Sequence, residues 1–121
     1  MAQDLKARTK KFAIDCGKLC RNFPHSREYN AYINQLIRCS SSVGANYRAS
    51  QRGKSTADFI NKLKIVEEEA DESHFFIEIL IEMYDLKDES VINEMKRLCS
   101  EANELVAIIV ASINTAKNRL K

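Results

Sequence analysis

From Phe59 to Tyr84 an apolar or small residue returns at every third or fourth position without a break: Phe59, Leu63, Val66, Ala70, Ser73, Ile77, Leu80, Tyr84. At 3.6 residues per turn this spacing lays one stripe along a single helix face. A half-buried strand would bury every second residue instead. The helix it implies is about 28 residues long, or ~42 Å at 1.5 Å per residue. A helix of that kind draws most of its stability from packing its stripe against other elements. Ser55 followed by Asp58 resembles a capping box with aspartate in place of glutamate. The predicted helix covers residues 56–84, and Asp85 to Asp88 form the turn that follows it.

Three more segments repeat the same steps. Leu5, Thr9, Phe12, Cys16, Leu19 and Phe23 predict a helix over 4–22, ended by Pro24. Proline restricts the residue before it and has no backbone N–H to donate. Ser26 then caps a helix over 27–52, with Glu28 in its first turn favoured by the helix dipole. Its seam reads Ile33, Ile37, Ser40, Gly44, Tyr47, with Leu36 and Val43 alongside, and Gly53 takes the C′ place where a left-handed residue closes the last turn. Asp88 caps a fourth helix over 89–119, with Val91, Met95, Leu98, Ala102, Leu105, Ile109, Ser112 and Ala116 as its seam. Its basic end, Lys117, Arg119 and Lys121, complements the negative pole of the helix.

One proline and three glycines in 121 residues leave little room for a many-turned β fold. Heptad-like seams favour packing at ~20°, and short loops make consecutive helices antiparallel neighbours. The expected fold class is therefore all-α, an antiparallel up-down-up-down four-helix bundle forming a single domain over residues 1–121. The third and fourth helices also carry apolar residues off the seam: Ile60, Ile65, Phe75, Phe76 and Ile81, then Ile92, Val106, Ile108, Val110 and Ile113. An arc this wide fits either an oligomer interface or the needs of the bundle's own core.

The opening residues MAQDLKARTKKF hold no apolar h-region, and no run approaches the ~18 apolar residues that would cross a bilayer. The expectation is a cytoplasmic protein without membrane partners. Cys16, Cys20, Cys39 and Cys99 fit reduced thiols there, acting as small buried hydrophobes. The net charge of +2 is unevenly spread. Residues 1–27 carry seven Lys/Arg against two Asp, while residues 56–90 carry three Lys against eleven Asp/Glu. Basic and acidic helices of this kind can complement each other within a bundle or an oligomer.

Catalytic constellations fail on residue type and spacing. A di-iron carboxylate bundle needs two Glu-x-x-His pairs and two further glutamates on facing helices. Only His25 and His74 exist, and the residue three before His74 is Asp71. Arg52-Gly53-Lys54-Ser55 imitates the end of a phosphate-binding loop, but Arg48 stands where its first glycine belongs, and a helix precedes it instead of a strand. No Ser–His–Asp or Cys–His grouping is indicated. The expectation is a protein that is no enzyme, with no cofactor, no metal and no catalytic residue.

The middle of the second helix is unusual. Arg38, Ser42 and Asn46 lie four apart beside the apolar seam. Antiparallel pairing through the Gly53–Ser55 turn would bring Arg38 near Glu69 or Glu72, and arginine prefers a carboxylate partner. The structural reading of Arg38, Ser42, Asn46, Glu69 and Glu72 is a polar network that sets helix register. The functional reading is a partner site.

Leu36-Ile37-Arg38-Cys39-Ser40-Ser41-Ser42-Val43-Gly44-Ala45-Asn46-Tyr47-Arg48-Ala49, with Ser55 to Leu63 and Val66 to Ser73, resembles the bacterial four-helix-bundle family encoded in intervening sequences of 23S ribosomal RNA genes. The resemblance covers essentially the whole chain and is sharpest from Leu36 to Leu80. One departure is Phe75-Phe76, where the family often carries an aromatic followed by tryptophan. The resemblance implies an antiparallel bundle assembled as a homopentameric ring, and it brings no known enzyme activity. The family is also similar to the accessory variability protein of diversity-generating retroelements, a basic pentamer that binds nucleic acid and a reverse transcriptase.

Two functions follow as expectations. The first is a non-enzymatic homo-oligomeric RNA/DNA-binding accessory protein, contacting phosphates through Arg8, Lys10, Lys11, Lys18, Arg21, Arg48, Arg52 and Lys54. No aromatic residue interleaves with these cations as a stacking platform would require. The second is a protein-interaction scaffold that recruits a nucleic-acid enzyme such as a reverse transcriptase.

Overall fold

The computed structural model describes residues 4–120. Among these, all regular structure is helical: α1 over Leu5–Leu19, α2 over Arg27–Ser50, α3 over Thr56–Met83 and α4 over Glu89–Asn118. A 3₁₀ turn over Cys20–Asn22 tightens the end of α1. Phe23 then turns extended, with φ −101° and ψ 147°, as a residue before proline is obliged to.

Each helix begins on a side chain that satisfies one of the free amides of the first turn. Asp4 accepts from the amide of Ala7, Ser26 from that of Tyr29, Ser55 from that of Asp58, and Asp88 from that of Ser90. At α3 the Asp58 carboxylate reaches back to the amide of Lys54 at 3.4 Å, one residue before the cap that a capping box would serve.

α3 packs against α2 on one side and α4 on the other, and α1 fills the fourth corner against α2 and, less extensively, α4. The Tyr29 hydroxyl, in the first turn of α2, donates to the carbonyl of Met83 at the end of α3 at 3.0 Å. The buried residues form a single cluster centred on Phe12, Leu36, Leu63, Ile77, Leu80, Met95, Leu98 and Leu105. Four polar side chains, those of Thr9, Ser40, Ser50 and Ser73, share this interior. Thr9, Ser50 and Ser73 return their hydroxyls to carbonyls of their own helix at 2.6–2.8 Å, so they bury no unsatisfied donor.

The seam of α2 differs from the expected one. Of the expected seam Ser40 is buried, but Ile37 is 42% exposed and Ile33, Gly44 and Tyr47 are only half-buried, while Leu36 and Val43 point inward together with Tyr29, Cys39 and Ser50. Both stripes have heptad spacing. The one through Gly44 borders α1, whose backbone comes close there: a Cβ on Gly44 would stand in van der Waals contact, 3.4 Å from the Thr9 carbonyl oxygen, leaving no room for a larger side chain. In α4 the last turns bury Ile113, with Ser112 half-buried beside it. Gly53 is not left-handed, since no described glycine has positive φ. A side chain there would meet the Phe59 amide and the Ser50 carbonyl at 3.2 Å, so space and not backbone conformation calls for glycine. Of the off-seam apolar residues of α3 and α4, Ile60 and Ile113 are buried, and only Ile65 (36%) and Phe75 (54%) are markedly exposed. Lys121 lies outside the described residues.

Candidate nucleic-acid interface

The cations of α1 divide between two sides of the helix. Arg8 faces α4, where its Nε and Nη2 donate to the two oxygens of Glu101 at 2.8 and 2.7 Å, and Nη2 also reaches Glu104 at 3.2 Å. These bonds hold the guanidinium charged more firmly than usual, Glu101 foremost, against the cost of burial. Lys11 pairs with Asp15 one turn on, and Asp15 also accepts from Arg97 of α4 at 2.9 Å. Arg97 is in turn forked onto Glu94 at 2.6 and 2.8 Å. Burial pushes the Asp15 carboxyl up, but the hydrogen bonds from Lys11 and Arg97 outweigh it and leave the pKa below the ordinary value.

On the opposite side, Lys6, Lys10 and Ala13 of α1 face Ser41, Gly44, Ala45 and Arg48 of α2 across a groove of ≈ 380 Å³. Its floor is built of small residues because the two helices approach closely at Gly44. Three cations line it. Among the described residues none of them has a carboxylate within ion-pair distance, in contrast to Arg8, Lys11, Arg38 and Arg97. Lys6 is absent from the sequence-derived set. The signal for it was its place one turn before Lys10, on the same face. Lys18 and Arg21 are exposed farther along α1 and the 3₁₀ turn, and Arg52 and Lys54 are exposed in the α2–α3 connection.

The polar stripe of α2 forms two separate groups. Arg38 contacts Glu72 and lies 3.3 Å from Glu69, with its Nε on Gln35 at 3.1 Å. Its side chain is half exposed. Asn46 donates to the hydroxyl and the carbonyl of Ser42 at 2.8 and 2.9 Å, and no hydrogen bond joins this pair to Arg38. Deeper between α2 and α3, the Ser73 hydroxyl lies 3.2 Å from the Cys39 sulfur, a contact absent from the sequence-derived network. Serine and cysteine resemble ordinary small core residues in a sequence, which is why nothing marked them as partners.

Among the described residues no group of three His, Cys, Asp or Glu is arranged to hold a metal ion. His74 pairs with Glu78 at 3.2 Å within α3. Burial pushes the thiols of Cys16, Cys39 and Cys99 up and that of Cys20 to about 11, away from the thiolate a nucleophile requires. Ser55, which ends the phosphate-loop look-alike, spends its hydroxyl on capping α3. A second groove of ≈ 420 Å³ between the start of α3 and the end of α4 is lined mainly by Phe59, Ile108, Ala111 and Ala116, with Arg119 at its edge. No described helix is long and apolar enough to cross a membrane.

Comparison with known proteins bears on the whole fold. No curated protein sequence matches the chain. A crystal structure of a protein of unknown function from the S23 ribosomal protein family of Bacteroides thetaiotaomicron superimposes with a TM-score of 0.77 at 27% identity, over 89% of this chain and 96% of that one. The family model for 23S rRNA-intervening sequence proteins matches residues 3–110, and it describes no catalytic activity. With helices in place of strands throughout the described residues and a family match over most of its length, the chain belongs to the 23S rRNA-intervening sequence protein family.

Proposed function

We propose that this protein is a non-enzymatic, homo-oligomeric helical bundle that binds RNA or DNA as an accessory protein. The observation that carries the reading is the division of its cations. Arg8, Arg38 and Arg97 are held by carboxylates of a neighbouring helix, whereas Lys6, Lys10 and Arg48 line a groove without one. A cation left facing solvent is available to displace counterions from phosphates, the main source of non-specific nucleic-acid affinity. Lys6, Lys10, Lys18, Arg21, Arg48, Arg52 and Lys54 form the contact set in this reading, while Arg8 holds α1 against α4 and Lys11 is paired with Asp15 within α1. Arg38 with Glu69 and Glu72 serves register between α2 and α3, while Ser42 and Asn46 tie one turn of α2 to the next.

The same reading takes residues 1–121 as one antiparallel up-down-up-down domain in the cytoplasm, assembled as a homopentameric ring. The bond from Tyr29 to Met83 and the contacts of Arg38 with Glu69 and Glu72 support opposed directions for α2 and α3. The resemblance to the family and to the retroelement accessory protein supports the ring. The test is titration of a structured RNA at about 50 and about 200 mM salt, with affinity expected to fall steeply between them. Absence of binding at the lower salt would reject nucleic-acid binding. The acidic α3, with Glu68, Asp71, Glu78 and Glu82 exposed around Phe75, favours a second reading as a scaffold for a basic nucleic-acid enzyme. Capture of such an enzyme that survives nuclease treatment would single that reading out.

A further inference from the structure

We infer that the α1–α2 groove is a phosphate-binding site that seats the backbone of a single nucleic-acid strand without reading its bases. The inference rests on the nucleic-acid reading above and assigns it a place. Lys6 and Lys10 stand one turn apart on α1, and Arg48 faces them from α2, so three cationic side chains line one cavity. Like charges brought together without intervening carboxylates repel one another, and an anion between them relieves that repulsion. Arg8, Arg38 and Arg97, by contrast, each have an acidic partner across the gap between two helices.

The floor defines what the anion can be. Ala13, Ser41, Gly44 and Ala45 leave space, and Ser41 supplies a hydroxyl that can donate to a phosphate oxygen. At Gly44 the α1 backbone lies close enough that a Cβ would touch the Thr9 carbonyl oxygen at 3.4 Å, so nothing bulkier occupies the floor. A cavity of ≈ 380 Å³ takes a phosphate and its sugar, whereas a duplex can only lie across its mouth. No aromatic ring lines it, so there is nothing on which a base could stack. The ligand recognised is therefore the phosphodiester, and sequence should matter little.

The test compares the full-length protein with K6Q/K10Q/R48Q and with K62Q/K64Q/K96Q, which removes as many charges from α3 and α4. The probe is a fluorescein-labelled poly(U) strand of about 24 nucleotides, with a mixed-sequence strand of equal length beside it. We expect the groove variant to bind about tenfold or more weakly and to lose about 2 from the slope of log K against log salt. The control variant should stay within about threefold of the parent, and the two strands within about threefold of each other. Equal weakening in both variants, an undiminished groove variant, or a strong preference for one sequence overturns the inference while leaving nucleic-acid binding intact. If the parent protein binds neither strand, amide shifts on adding sodium pyrophosphate decide the groove separately. Shifts centred on Ser41, Gly44 and Ala45 that vanish in the groove variant uphold an anion site and reject only the nucleic-acid reading; no shifts overturn both. Circular dichroism establishes that the variants fold, and Arg48→Gln alone, expected to cost about threefold, replaces the triple variant if it does not.

Discussion

Arg8 and Lys10 stand two residues apart on α1 and meet different surroundings. One is turned toward the carboxylates of α4 and the other toward a groove without any. Arg8 is three-quarters buried and makes two parallel bonds to Glu101, the strongest geometry available to it. Arg8→Ala should therefore destabilise the protein by about 1–2 kcal/mol, more than an exposed ion pair would, as read by urea denaturation. Arg38→Ala, whose side chain is half exposed, should cost about 0.2–1 kcal/mol in the same measurement. Asp15 gives a pH signature. Its carboxyl sits below its ordinary value of 3.8 in the folded protein, despite burial, because Lys11 and Arg97 bond to it, and Glu94 sits below 4.5 chiefly through Arg97. A depressed acid contributes its full stabilisation above the unfolded value and loses it as pH falls through the folded one. The stability difference between the parent and Asp15→Asn should accordingly be complete at neutral pH and shrink below about pH 4, followed by thermal melts across that range. A difference that grows on acidification would contradict the assignment.

Among the elements, α1 and α3 were the most legible: every expected seam residue of α1 from Leu5 to Phe23 is buried, and so is every position of the α3 stripe from Leu63 to Leu80, with Phe59 and Tyr84 half-buried at its ends. α2 was less so. Tyr29, Leu36, Val43 and Ser50 repeat every seven residues, and so does the adjacent row through Ile37 and Gly44. Periodicity alone ranks the two rows nearly equally, and only the approach of α1 decides between them. Gly44 is where that approach occurs. Gly44→Leu should force α1 away and cost about 1–3 kcal/mol by overpacking. Gly44→Ala should be close to neutral, since a gain of up to about 1 kcal/mol in helix propensity opposes a contact at van der Waals limit. Urea midpoints of the two variants check this; equal effects would mean that the helices do not meet there. At Gly53 the expected left-handed closure does not occur, because a sequence marks a helix end without saying whether conformation or space demands the glycine.

At the scale of the molecule, the protein carries isolated exposed apolar residues on three of its helices, with Phe75 the most exposed among those of helix interiors. Light scattering coupled to size exclusion should give a mass near five times 13.8 kDa, as the family resemblance implies, and Phe75→Ser tests whether α3 contributes to that contact by lowering the mass. A monomer from the parent protein would contradict the ring. Helix number, approximate ends, caps and the all-helical class followed from the sequence by itself, because they depend on interactions within a few residues: the spacing of apolar side chains, Pro24, and the capping residues Ser26, Ser55 and Asp88. Which cations are paired and which stand free was decided only by tertiary structure. Arg8 and Lys10 look alike in a sequence, and the distinction comes from carboxylates more than ninety positions away that meet one and not the other. A helix turns 100° per residue, so two positions along α1 are enough to direct one side chain to α4 and the other to α2.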